Sequence, residues 1–306
     1  MRHTDRTQAG ECARAERATF MTNWFITGIS RGLGKALAEA ALARGDRVVG
    51  TTRDGKSGIA ASRGTLDVLP LEVSDVAAIE STVTKAFELA GGLDVIVNNA
   101  AYGLLGAIEN ASDAEAARLF DVNVFGTFRV IRAALPKLRA QGRGHIINIT
   151  SIAGRAPMAG SGLYAATKSA IEGLSQSLAQ EVGPLGIKVT VVAPGAFRTD
   201  FLSPHSIRKS AGAPDDYTNS VGRTMSRLDA MAGKQLGDPA RAARALLAVI
   251  DAERPPLHLL LGSDALSRAQ EKLDTLIEEM DRWEAVTRST DFPQEEAATR
   301  SKRAAT

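Results

Sequence analysis

Tyr164 and Lys168 stand four residues apart in the run Tyr164-Ala165-Ala166-Thr167-Lys168, a separation that places both side chains on one face of a helix. A phenol ordinarily titrates near pH 10, so proton transfer near neutrality requires a group that stabilises its anion. An ammonium one turn further along meets that need. Ser151 lies thirteen residues before the tyrosine, just after the apolar run His145 to Ile149. A hydroxyl there could orient a substrate oxygen and stabilise charge developing on it. Thr150 and Ser161 are neighbouring competitors for that task. Each residue also has an ordinary reading: a half-buried aromatic, a snorkelling lysine, a cap. The spacing Y-x-x-x-K alone is weak, because lysine is common.

A second cluster precedes this one. After Trp24-Phe25-Ile26 the chain reads Thr27-Gly28-Ile29-Ser30-Arg31-Gly32-Leu33-Gly34 and enters a segment with helical spacing of apolar residues. Glycine lets a backbone turn tightly and approach a pyrophosphate, and the following helix N-terminus offers unpaired N–H groups and a positive dipole end. Three glycines could form only a strand-to-helix connection, but their place after the first strand gives them a dinucleotide-binding reading. The two clusters are chemically complementary. Carbonyl reduction needs hydride at carbon and a proton at oxygen, and alcohol oxidation needs both in reverse.

The spacing G-x-x-x-G-x-G differs from the G-x-G-x-x-G of many dehydrogenases. Together with Asn98-Asn99-Ala100-Ala101-Tyr102-Gly103, Ser151, Tyr164 to Lys168 and Pro194-Gly195, it resembles the short-chain dehydrogenase/reductase family from about Thr22 through Gly262. The segment Pro255-Pro256-Leu257 to Gly262-Ser263-Asp264-Ala265 looks like the family's hydroxysteroid dehydrogenase-like branch. The resemblance implies an oxidoreductase that interconverts a ketone or aldehyde and an alcohol, with Tyr164 as general acid and base. It selects Ser151 for the substrate oxygen and gives Lys168 a second contact with the nicotinamide ribose. Asn123, in Asp121-Val122-Asn123-Val124-Phe125-Gly126, matches the position that holds a water linking Lys168 to solvent. The implied cofactor contacts are Gly28, Ser30, Arg31, Gly32, Leu33 and Gly34 in the turn, then Asn99 and Ala100 beside the ribose, Tyr164, Lys168, Pro194, Gly195, and Thr199 near the nicotinamide amide. Glu72 stands where the family usually has aspartate, so an adenine contact by Glu72-Val73 is not carried over. Asn98 reads equally well as a tie between adjacent strands.

NADP(H) is expected in preference to NAD(H). An acidic side chain at the end of the second strand would accept hydrogen bonds from the adenosine ribose and repel a 2′-phosphate. The chain instead reads Thr51-Thr52-Arg53, and Arg31 lies in the glycine turn. Two guanidinium groups could grip the phosphate. Asp54, next in sequence, argues the other way, and either arginine could be a solvated surface residue.

Elements that would position these residues follow from hydrophobic periodicity. Short runs rich in Val and Ile alternate with longer segments of helical spacing, which predicts an α/β fold: one Rossmann-type doubly wound domain with a seven-stranded, mostly parallel sheet and helices on both faces. The expected strands are Trp24 to Thr27, Arg47 to Thr51, Val68 to Val73, Val95 to Asn98, His145 to Ile149, Lys188 to Val192 and Leu257 to Leu261. A helix from Leu33 to Arg44 should close at Gly45, and a long one from Ser112 to Arg139 should be irregular near Pro136. Residues 1–21 read as a disordered extension outside a catalytic domain of residues 22–263. Residues 201–237 read as an irregular insertion serving substrate recognition. Asp264 to Val286 reads as an amphipathic helix, and Gln294 to Thr306 as a mobile tail.

Composition narrows the classes further. The formal net charge is +2 over 306 residues, with both signs interspersed, so nucleic acid is not an expected partner. The single cysteine, Cys12, excludes an internal disulfide framework and fits a cytoplasmic protein, and no apolar stretch reaches membrane-spanning length. No metal site is expected. The expected partner is a small carbonyl or alcohol substrate; a homodimer is the favoured assembly, although the extension after Gly262 could cover a surface that relatives use. Two rivals remain. A catalytically inactive NADP(H)-sensing regulator would commonly lack the tyrosine, and a nucleotide-sugar epimerase would usually show another glycine spacing and a larger C-terminal domain.

Overall fold

The structure, a computed structural model, describes residues 21–212 and 215–292. The expected disorder of residues 1–20, with Cys12, and the expected mobile tail lie outside them. The chain begins with β1 (Asn23–Thr27), α1 (Gly32–Arg44), β2 (Arg47–Thr52), β3 (Thr65–Pro70), α2 (Val76–Ala90), β4 (Val95–Asn98) and a short β5 (Gly103–Leu105). It continues with α3 (Asp113–Phe120), α4 (Gly126–Gln141), β6 (Gly144–Ile149), α5 (Gly162–Val182), β7 (Ile187–Pro194) and a short β8 (Ile207–Lys209). The last elements are α6 (Arg223–Met231), α7 (Pro239–Asp251), β9 (His258–Leu261) and α8 (Ser263–Arg288).

Seven strands form one sheet in the order β3-β2-β1-β4-β6-β7-β9, and every pairing in it is parallel. The strands read as apolar runs because both faces are covered. Phe25, Val49, Ile96 and Ile146 point to one side, where α2, α4 and α5 supply Ile79, Val130 and Leu178. Trp24, Ile26, Val48 and Ile147 point to the other, against Leu37 of α1 and Leu246 of α7. Strand order reverses between β1 and β4, which opens a crevice at the carboxyl ends of the strands, where open α/β sheets bind ligands.

Several elements differ from expectation. The third strand runs Thr65–Pro70 rather than Val68 to Val73. It is an edge strand closed by a proline that cannot donate to a ladder, and Leu71 and Val73 are buried beyond it in the core beneath α2. The last strand begins at His258 rather than Leu257. The long helix breaks not at Pro136 but at Asp121–Phe125, one wide π turn carrying Asn123. Pro136 stays inside α4, where only the bond to the Arg132 carbonyl is lost. The insertion is not irregular throughout. β8 pairs with β5 in a two-stranded parallel sheet, α6 follows, and the base is closed by Arg198 N–H donating to Gly237 O (2.8 Å) and Gly237 N–H donating to Ala196 O (3.0 Å).

Candidate active site

The glycine turn leaves β1 with Gly28 at φ 75° and Gly32 at φ 63°, both in the left-handed region that favours glycine. Gly34 is required for a different reason. A Cβ there would lie 2.3 Å from Asn99 Nδ2 and 2.5 Å from Gly28 O. The Asn99 amide donates to the carbonyls of Thr27 and Gly28, both at 2.9 Å, and Thr27 Oγ1 accepts from Asn99 N and Ala100 N, both at 3.0 Å. Asn99 and Ala100 therefore lock the loop after β4 onto the turn after β1. Asn98 Nδ2 donates to Asn148 Oδ1 at 2.8 Å, which is the strand tie.

α1 begins at this turn with no side-chain cap and no acidic residue in its first turn, whereas Asp75 caps α2, Ser112 and Glu115 form a capping box on α3, and Asp238 caps α7. A Cβ on Gly32 would meet only Thr199 Cβ, at 3.9 Å. Unsatisfied N–H groups thus face open space between the turn and Thr199, which fits a dinucleotide diphosphate. Pro194 ends β7, and Gly195 N–H donates to Leu261 O at 2.8 Å. A Cβ on Gly195 would lie 2.2 Å from the Asp264 carboxylate, which itself accepts from Ala196 N–H at 2.8 Å. Thr199 Oγ1 accepts from Phe201 N–H at 3.3 Å. Ser30 and Arg31 turn toward solvent, and Leu33, in the first turn of α1, packs on the core.

Beyond β2, Arg53 is exposed and Arg31 half-exposed, and neither guanidinium has a partner among the described residues. Asp54 is occupied locally: its Oδ1 accepts from Lys56 N–H and Thr52 Oγ1, both at 3.1 Å. The Lys56 N–H bond, then the Thr52 hydroxyl, holds its carboxyl below the usual range.

Tyr164 and Lys168 share one face of α5, with Nζ 5.7 Å from the phenol ring centroid. Lys168 Nζ donates to Ile149 O at 3.0 Å, at the end of the strand that delivers Ser151. Burial pushes the Tyr164 phenol up to about 12, opposed by its hydrogen bond with Ser151. Burial likewise draws Lys168 down to about 8, opposed by the Glu172 carboxylate. Desolvation is the larger influence on the phenol, and Lys168, on the same helix face, is placed to stabilise its anion.

Asn123 is buried. Its amide accepts from Tyr102 N–H (3.0 Å) and donates to Tyr102 O (2.8 Å) and Thr167 Oγ1 (3.2 Å); Thr167 Oγ1 in turn donates to Tyr164 O at 2.7 Å. It thereby fixes the loop after β4 against the helix that carries Tyr164.

Two participants escaped the sequence reading. Glu172, one turn beyond Lys168, is buried; it accepts from Thr150 Oγ1 at 2.6 Å and Arg155 Nη2 at 3.0 Å, with His258 Nδ1 at 3.7 Å. The i, i+4 series Tyr164, Lys168, Glu172 could have revealed it. Phe201 packs 5.9 Å from the Tyr164 ring, tilted by 45°, with Ala153 and Ala165 beside it. Nothing in the irregular composition of the insertion singled it out. Among the described residues no group of three or more His, Cys, Asp or Glu could hold a metal, and no helix is long and apolar enough to cross a membrane.

A doubly wound parallel sheet with an uncapped glycine turn at its crevice, and a buried Tyr-Lys pair with a half-buried serine beside it, defines a class, the nucleotide-dependent oxidoreductases. Comparison with known proteins makes the class specific. Residues 22–209 match the model of the short chain dehydrogenase family, and the chain belongs to that family of oxidoreductases. It is 36% identical over 264 residues to oxidoreductase BOA17 of Botryotinia fuckeliana, covering 85% of this chain and 96% of that one. A solved short-chain dehydrogenase from Streptomyces avermitilis is 39% identical, with a TM-score of 0.83 over 90% of this chain and all of that one (100%). ElxO with NADP bound is 25% identical, with a TM-score of 0.67 over 81% of this chain and 100% of that one. A Burkholderia phymatum relative in complex with NAD is 22% identical, with a TM-score of 0.73 over 84% and 95%. The fold thus accommodates either dinucleotide.

Proposed function

We propose that the protein interconverts a ketone or aldehyde and an alcohol with NADP(H), using Tyr164 as the proton-transferring group. When bound, the nicotinamide supplies or accepts hydride at the substrate carbon. The chain's own residues handle the oxygen. Ser151 hydrogen-bonds and orients it, and the Tyr164 hydroxyl gives it a proton in reduction or takes one in oxidation. With the phenol held up to about 12, the resting form is the proton donor that reduction requires. Lys168 reaches the nicotinamide ribose and compensates the phenolate left after transfer. Asn123 is a positioning residue that keeps the site's loop against α5 and holds the water joining Lys168 to solvent. Arg31 and Arg53 grip the 2′-phosphate, and the N-terminus of α1 holds the diphosphate. Phe201, Ala153 and Ala165 give the substrate side an apolar wall.

The observation that carries this reading is the buried Tyr164 hydroxyl on Ser151, on the same helix face as Lys168. The test is a panel of ketones, aldehydes and secondary alcohols run with both dinucleotides in both redox states. Turnover that consumes NADPH well ahead of NADH supports the proposal. Cofactor binding without turnover of any substrate would favour a sensing role instead.

A further inference from the structure

The 26-residue helix α8 has two unlike halves. Its first two turns are docked. Ala265 and Ala269 pack on Ile152, with Ala156 and Leu260 alongside, Asp264 accepts from Ala196 N–H, and Arg268 donates to Ala156 O. From Leu273 to Phe292 every residue is exposed. That projecting half nevertheless carries Leu273, Leu276, Ile277, Met280 and Trp283, which are 39–62% exposed. A surface helix of a monomer normally keeps such a stripe against its own core.

The stripe has the geometry of a helix–helix seam. Leu266, Ala269, Leu273, Leu276, Met280 and Trp283 alternate steps of three and four, which is the heptad a/d spacing that seats knobs into the holes of a facing helix. The apolar positions are also symmetric about residue 278: Leu273 and Trp283 are each five residues from it, and Leu276 and Met280 each two. Two copies laid antiparallel about that point place Leu273 on the partner's Trp283 and Leu276 on the partner's Met280, with Ile277 beside the axis. Charge favours the same direction. A parallel pair would set Glu279 opposite the partner's Glu284 on both sides of the seam, whereas an antiparallel pair meets only one like-charge contact, Glu279 with the partner's Glu279. The exposed apolar side chains of this half offer roughly 600 Å² per protomer, against the ~800 Å² that each partner gives to a standard stable interface. The stems of the flanking charged residues can supply the difference.

We propose that α8 is a homodimerisation arm that pairs antiparallel with α8 of a second copy about an axis near residue 278. The pairing reaches the catalytic crevice mechanically. The docked base of the same helix holds Ile152, Ala156 and Ala196, next to Ser151 and Gly195.

The test is sedimentation velocity on the full-length chain at micromolar concentration. The wild type should be a dimer. Leu276→Glu/Met280→Glu puts two carboxylates into each half of the seam and should weaken dimerisation by about a hundredfold or more. Both positions are exposed in the protomer, so circular dichroism should be unchanged. In a Cys12→Ser background, Ile277→Cys should cross-link two copies under oxidation. Gln270→Cys should not, because antiparallel copies of residue 270 lie roughly 24 Å apart along the axis. A monomeric wild type would overturn the proposal. So would a dimer that survives both glutamates, which would mean that another surface assembles the protein, or cross-linking at 270 equal to that at 277, which would mean a parallel pair.

Discussion

Replacing Arg53 and Arg31 should remove the preference for NADPH without disturbing the rest of cofactor binding. Both guanidinium groups are solvent-facing and unpartnered among the described residues, so neither substitution opens a cavity or strands a buried charge. A guanidinium–phosphate contact is charge-assisted and contributes about 1.5–3 kcal/mol when well formed. Solvent screening holds exposed groups near the lower end, and about 1.5 kcal/mol is roughly tenfold in Kd. Arg53→Ala should therefore weaken NADPH about tenfold, and Arg31→Ala/Arg53→Ala about a hundredfold if the contributions add. NADH affinity should change less than about twofold, since its ribose carries no phosphate for them to grip. Asp54→Asn should leave the preference in place, because that carboxylate is occupied by Lys56 N–H and Thr52 Oγ1. Fluorescence titration of both dinucleotides at low and high salt is the assay, and the NADPH advantage should shrink as salt rises. A wild type that binds NADH as tightly as NADPH, or a double variant that loses both equally, would refute the reasoning.

Other expectations follow from the same geometry. Gly34→Ala should abolish cofactor binding or folding, because its Cβ would sit 2.3 Å from Asn99 Nδ2 and 2.5 Å from Gly28 O; thermal denaturation with and without NADPH separates the two. Glu172→Gln should move the alkaline limb of the reductase pH profile, set by Lys168 at about 8, to lower pH, whereas a purely structural role would scale the rate without moving the limb. His145 is buried and neutral, its pKa lowered to about 4 by burial and then by Lys188. Its Nε2–H donates to Thr190 Oγ1 (2.8 Å), whose own proton goes to Pro256 O (2.7 Å). A depressed folded pKa means that the unfolded chain binds the proton first, so stability is full above about 6.5 and is lost progressively as pH falls from there to about 4. At pH 5 the loss is about 2 kcal/mol, and His145→Gln should flatten that slope in urea denaturation. Phe201→Ala should raise KM for bulky apolar ketones more than it lowers kcat, measured by steady-state kinetics.

The sheet and the glycine turn were readable because their signals are local. Strands covered on both faces are continuous apolar runs, and the turn's glycines meet conditions that only glycine satisfies, a positive φ at Gly28 and Gly32 and no room at Gly34. What escaped was decided by tertiary partners. The third strand slipped by three residues because burial beneath α2, not pairing, explains Leu71 and Val73. β5 and β8 are three residues each and exist only because they pair with one another. The break at Asn123 is fixed by Tyr102 and Thr167, residues distant in sequence. Tyr164, Lys168 and Ser151 converge as their spacing suggests, yet the spacing gave no view of how deeply the phenol is buried.

The central claim is that the Tyr164 hydroxyl moves the substrate proton. Tyr164→Phe keeps the ring against Phe201 and Ala165 and deletes only the oxygen. The decisive measurement is single-turnover oxidation of bound NADPH by a ketone that the wild type reduces, alongside NADPH affinity. The account predicts unchanged affinity with turnover slowed by about a thousandfold or more, within the range that general acid catalysis contributes. A phenylalanine variant that oxidises NADPH at a rate near the wild type's would contradict it.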